Sequence, residues 1–214
     1  MRQLISSALL LLCLPVLAQD KGFVSGTIGF SSSKVDNPGS SDPTTNTFTF
    51  GPAVGYHLNA SNVVGLALGF TSSRTVMPQT YTDINGNPIA AGHTDKENLF
   101  EVAPFYRYVK SVGDKFALYG QLKVGFGSGK STTEYESIPG NSETKISTFR
   151  AGIGPGIVYA PATRWALSAN WGLIGYHSRT EKLKKSNNDS KTTTSGFDAT
   201  LNPGAITLAL NWLF

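Results

Sequence analysis

The sequence predicts an all-β protein, an eight-stranded antiparallel up-and-down transmembrane β-barrel. Two observations carry this. Period-two alternation of apolar and polar residues recurs eight times, and the connections between these segments alternate between short and long. A third agrees with them: the apolar faces are wide and aromatic at both ends, whereas a water-soluble barrel turns its aromatics inward and its polar faces outward.

The segments follow in order. "FVSGTIGF" (23–30) aligns Val24, Gly26, Ile28 and Phe30, and "FTFGPAVGYHL" (48–58) aligns Phe48, Phe50, Val54, Tyr56 and Leu58. "VVGLALGF" (63–70) aligns Val64, Leu66, Leu68 and Phe70. "LFEVAPFYRYV" (99–109) and "KFALYGQLKVGF" (115–126) place Phe100, Val102, Tyr106 and Tyr108, then Phe116, Leu118, Leu122, Val124 and Phe126, on single faces. "FRAGIGPGIVY" (149–159) aligns Phe149, Ile153, Ile157 and Tyr159, and "WALSANWGL" (165–173) aligns Trp165, Leu167, Trp171 and Leu173. The eighth is "AITLALNWLF" (205–214), with Ile206, Leu208, Leu210, Trp212 and Phe214 in phase.

The opposite faces carry Thr49, Glu101, Arg107, Tyr119, Gln121, Lys123, Arg150, Ser168, Asn170 and Asn211 among many small residues. Lipid is the natural solvent for the apolar faces, because so much exposed apolar area is unusual on a soluble monomer. The polar faces then line a narrow lumen, which side chains fill in a barrel of eight strands. The expected lumen cluster is Glu101, Arg107, Tyr119, Gln121, Lys123 and Arg150. If Val109 and Lys115 flank their turn as a pair, Glu101 falls opposite Lys123, with Arg150 competing for the same carboxylate. Buried charges need such partners.

Residues 1–18 read as a secretory signal peptide: Arg2, the apolar "LISSALLLLCLPVL", and cleavage after Ala18. The barrel domain is then 19–214. The only cysteine, Cys13, lies in the leader, so the processed chain forms no disulfide and no cysteine-based zinc site. The turns at 59–61, 110–114 and 161–163 are tight; those near 33–45, 74–95, 130–143 and 180–195 are long and polar. Short periplasmic turns and long outer loops are the barrel pattern, which places both termini in the periplasm. Pro52, Pro104 and Pro155 interrupt three strands, each four residues before a tyrosine, and an equivalent bulge or kink is expected at each.

Catalytic motifs fail on inspection. "GFGSGKS" (125–131) lacks the first glycine of a phosphate loop and the helix after it. His57, His93 and His177 have no ligand spacing, so no metal and no cofactor are expected. Outer-leaflet lipid enzymes such as the lipid A deacylases use His and Ser one residue apart on a shared face. His177 and Ser178 are adjacent and point to opposite faces. The fourth loop is basic: Arg179, Lys182, Lys184, Lys185 and Lys191 outnumber Glu181 and Asp189. Such a cluster beside a membrane suits lipopolysaccharide phosphates.

Topology and the last segment together resemble the small eight-stranded outer-membrane barrels of the OmpA/OmpX-like group, the outer membrane protein β-barrel domain. In that group a terminal alternating strand ending in Phe is read by the barrel-assembly machinery. The resemblance therefore implies that role for Ile206, Leu208, Leu210, Trp212 and Phe214. It implies an integral outer-membrane protein, non-enzymatic, with a structural or surface-interaction role in four long loops. The alternatives are a small passive pore and an outer-leaflet lipid-modifying enzyme. Expected partners are outer-membrane lipid, lipopolysaccharide and the assembly machinery. No nucleic acid is expected, and the expected state is a monomer.

Overall fold

The computed structural model describes residues 22–35, 42–82, 88–136, 141–183, 190–200 and 206–214. The leader at 1–18 lies outside these residues, as do Lys184 and Lys185. The barrel wall runs through β1 (Gly22–Lys34), β2 (Thr44–His57), β3 (Asn62–Met77), β6 (His93–Ser111), β7 (Phe116–Tyr135) and β8 (Asn141–Tyr159). Its seventh stave is β9 (Trp165–Trp171) followed by β10 (Leu173–Leu183). The eighth is β11 (Ser190–Thr200) and β12 (Ile206–Leu213). A small hairpin, β4 (Thr80–Thr82) with β5 (Pro88–Ala90), sits in the connection between β3 and β6. Each stave pairs antiparallel with its sequence neighbour, and β12 returns to β1 to close the barrel.

Alternation decides which side chains face out. Ile28, Phe50, Leu66, Phe100, Leu122, Ile153, Leu167 and Leu210 all lie exposed on the outer wall. Phe50, Phe70 and Phe100 stand in one cross-strand row, and Phe126 packs on Phe149 with ring centroids 5.3 Å apart. At the short-turn end Phe116 stacks on Tyr159 at 4.7 Å, and Trp165 meets Trp212 edge-on at 4.3 Å. Phe116 and Phe126 thus bound about eleven residues of β7, the length a tilted strand needs to cross hydrocarbon.

The strands do not stop there. β7 continues to Tyr135, and β3, β6, β8 and β10 rise beside it. Among their described residues, the segments expected as long loops are therefore largely strand. Their Thr, Ser and Lys residues alternate without apolar contrast, so periodicity fails to show them, although threonine favours a pleated surface. Polar cross-strand pairs hold this extension: Lys96 to Glu134 at 2.7 Å and Lys130 to Glu143 at 3.0 Å. Thr45 and Thr75, and Thr47 and Ser73, bond across it at 3.0 Å.

The three prolines behave alike on one side. Pro52, Pro104 and Pro155 keep register with the preceding stave, opposite Gly26, Leu66 and Gly120. Each ladder to the following stave lapses, because the missing N–H points that way. Only at Pro155 does a true bulge form. Ile153 faces Ile174 but Gly156 faces Asn170, a one-residue slip taken up at Gly172, whose φ is 54°. At Pro52 and Pro104 register is unchanged across the gap, so of the bulge or kink expected there no bulge forms and the ladder is interrupted over two residues.

Closure rests on few bonds. Phe23–Gly26 pair with Leu210–Leu213, and Gly22 and Phe214 exchange two backbone hydrogen bonds of 3.0 Å. Deleting Phe214 removes both of these. We expect assembly to fall severalfold, read as loss of the heat-modifiable folded band, while Asn211→Ser stays near wild type.

Candidate functional site

The inward faces form three levels. Nearest the short turns, Phe23, Val63 and Phe105 are buried together, with Ala53, Ala67, Val109 and Leu213 packed around them. Phe23 stands opposite Gly55, Phe105 opposite Gly65, and Tyr119 opposite Gly156. Each ring lies over a glycine: a Cβ on Gly156 would sit 2.2 Å from Tyr119 Cζ. Arg107 crosses this level. Its guanidinium lies 4.1 Å from the Tyr119 ring centroid, 5.6 Å from Phe23 and 5.5 Å from Phe105. It donates to Gln121 Oε1 at 2.8 and 3.1 Å. Aromatic faces attract a cation through their quadrupole, so Arg107 is held by rings and an amide rather than by a carboxylate. The level forms an apolar plug threaded by one cation.

Above it opens a cavity of about 580 Å³ whose lining includes Glu101, Lys123, Arg150, Ser168 and Asn170. Lys123 Nζ donates to Glu101 Oε1 at 2.8 Å. The hairpin register differs from the expected one. Val109 pairs with Tyr119, Glu101 with Gly127 and Lys123 with Phe105. Lys115 sits in the turn instead, where its carbonyl accepts from Ala160 N at 2.8 Å. The ion pair is therefore diagonal, four residues off the opposite position, and the reach of the lysine stem spans the difference. Arg150 faces His177 and Gly125 across its two ladders. It makes no ion pair with Glu101, so the expected competition does not occur. We expect Glu101→Ala to cost about 1 kcal/mol, since half-buried Lys123 then loses its carboxylate partner in a lumen whose lining also holds Arg150. Denaturant titration in micelles measures it, with Glu101→Gln giving a smaller loss.

The upper level is a charged mouth. Arg179 reaches inward and forks onto Glu97, 2.9 Å to Oε1 and 2.7 Å to Oε2, and donates to Glu181 at 2.7 Å. This corrects the basic-loop expectation. Arg179 belongs to the lumen face of β10, where Glu97 and Glu181 hold it, rather than to an outward basic cluster.

Lys182 and Lys191 do face out, and they are paired across β10 and β11. Lys182 also faces Lys145, and Lys145 faces Lys130. Four lysines thus stand in one exposed row across β7, β8, β10 and β11. Like charges directly opposite one another repel. Lys130 has Glu143 within 3.0 Å; among the described residues Lys145, Lys182 and Lys191 have no carboxylate partner. The row lies four residues beyond Phe126 and Phe149, about 10 Å above the aromatic belt after allowing for strand tilt. Lys130 and Lys145 were missed because they lie far apart in sequence; only register brings them together.

Among the described residues no cluster of His, Cys, Asp and Glu forms a metal site. Ile28, Leu208, Leu210 and Trp212 face outward on or beside the closing strand.

A closed eight-stranded antiparallel barrel with an apolar outer belt and a largely polar lumen is an integral membrane β-barrel. The chain belongs to the outer membrane protein beta-barrel domain family, whose profile matches residues 4–214, and it is an outer-membrane protein. Among solved structures it is similar in fold to Neisserial surface protein A, at 13% identity, covering 90% of this chain and 97% of that one, with a TM-score of 0.41. A major outer membrane protein from Thermus thermophilus matches at 12% identity, 91% and 98% coverage and a TM-score of 0.47. The attachment invasion locus protein Ail of Yersinia pestis matches at 15% identity, 91% and 99% coverage and a TM-score of 0.36. No curated protein matches this chain.

Proposed function

We propose that the protein is a non-enzymatic surface platform. Its strands rise past the outer belt and present a basic row to phosphorylated head groups of the outer leaflet, lipopolysaccharide above all. The tall end then faces the cell exterior, and the short turns and both termini face the periplasm. The observation that carries this is the Lys130–Lys145–Lys182–Lys191 row, placed above Phe126 and Phe149. A row of like charges at that height costs stability unless an anion neutralises it. The plug of Phe23, Val63 and Phe105 argues against a straight passive pore.

The test compares the wild type with Lys145→Gln/Lys182→Gln/Lys191→Gln in micelles containing lipid A or its dephosphorylated form. Lipid A should raise the wild-type denaturation midpoint, and the triple variant should lose most of that rise. About 1 kcal/mol per lysine near an anionic surface is the scale expected. Equal stabilisation of both proteins, or by both lipids, would overturn the reading.

A further inference from the structure

The barrel is not zipped evenly. Among the described residues, β12 pairs with β9 along Ile206–Trp212, but with β1 only through Leu210–Leu213. Continued register would set Ile28 opposite Leu208, yet among the described residues Thr27–Lys34 is laddered to β2 alone. Among the described residues β11 likewise pairs only with β10. Exposure marks the same line. Phe197 is 85% exposed, Ile28 77%, Phe30 75% and Leu208 68%, whereas Phe50, which has neighbours on both sides, is 48% exposed. The unpaired stretch from Thr27 to Phe30 lies between the mid-barrel and the aromatic belt, where backbone groups have no water to bond.

Behind this seam lies the 580 Å³ cavity, and Thr27, Thr207 and Ala209 from the seam strands line it. That volume falls within the range of about 300–1,000 Å³ usual for small-ligand sites. Its lining holds four cations, Arg107, Lys123, Arg150 and Arg179, and two carboxylates, Glu97 and Glu101. Lys123 and Arg179 take the carboxylates, and Arg107 is caged by aromatic rings and Gln121. Arg150 lines the cavity, is exposed, and makes no ion pair among the described residues. Phe105, Arg107 and Tyr119 of the plug level line its end toward the short turns.

We propose that this seam is a lateral opening through which a single-chain fatty acid enters from the bilayer. Its carboxylate sits on Arg150, and its acyl chain leaves between Ile28 and Leu208 into lipid. The ladder is missing over four positions, about 13 Å of strand, and an acyl chain is a rod thin enough to lie in such a gap. The guanidinium fork matches a carboxylate, and apolar lips with a cationic interior match an amphiphile with an anionic head. A second copy of the chain would satisfy the bare edge but leave Arg150 unanswered.

The test uses the full chain carrying Cys13→Ser, with a thiol-reactive fluorophore on Leu208→Cys or, on the far wall, on Leu122→Cys. Doxyl-labelled stearate is the probe, in micelles. We expect saturable quenching at position 208 and only linear, partition-type quenching at 122. Palmitate should relieve the saturable part and methyl palmitate should not. Arg150→Gln should weaken half-saturation about tenfold, with folding checked by heat-modifiable migration. If that variant does not fold, the comparison of palmitate with its methyl ester decides alone. Equal, non-saturable quenching at both sites, equal competition by the ester, or a dimer by light scattering that shields position 208 would overturn the proposal.

Discussion

Leu122→Arg should destabilise the barrel by about 2–4 kcal/mol, the cost of a cation facing the middle of a bilayer. Leu122 stands on the outer wall of β7, six residues from Phe116 and four from Phe126, with Tyr106 and Ile153 beside it. Thr132→Arg lies on the same face, further along β7 and beyond the belt, and should be nearly silent. Reversible denaturant unfolding in vesicles measures both. Equal costs at the two positions would mean that the aromatic belt does not mark the hydrocarbon boundary.

Gly156→Ala should be nearly as damaging from inside. The added methyl carbon would meet Tyr119 Cζ at 2.2 Å and the Ala169 carbonyl oxygen at 2.7 Å. Tyr119 is itself buried, and the Arg107 guanidinium rests on its ring. Overpacking of this kind costs about 1–3 kcal/mol, more where backbone blocks relaxation. Adding Tyr119→Ala should recover only part of the loss, because the Ala169 carbonyl remains and Arg107 loses its ring. A Gly156→Ala barrel with an unchanged denaturation midpoint would show that the plug is looser than its geometry implies.

The outer wall was legible because one solvent acts on it: every second residue from Val64 to Phe70, or from Phe116 to Phe126, answers to lipid. The lumen was legible only as a list. Glu101 and Lys123 share a face by parity, but their contact depends on a hairpin register that shifts when Lys115 joins the turn. Phe23 and Phe105 were passed over because aromatics read as belt residues. Their phase was the available signal, since each is one residue out of step with its strand's apolar set and faces a glycine. Arg179 looked like a loop cation because Glu97 is far away in sequence. The strand extensions were hidden because both of their faces meet polar surroundings, which removes the alternation that reveals a strand.

The outer belt ends near Phe126, and β7 continues beyond it as a polar wall. Depth-dependent quenching by brominated lipids tests it most directly. Single cysteines at Leu118, Leu122, Phe126, Lys130 and Glu134 would be labelled in the Cys13→Ser background and reconstituted in vesicles. Quenching should peak at Leu122, fall at Leu118 and Phe126, and vanish at Lys130 and Glu134, with no signal from labels at Gln121 or Lys123. Quenching that persists to Glu134, or that is as strong at Gln121 and Lys123 as at Leu122, would contradict it.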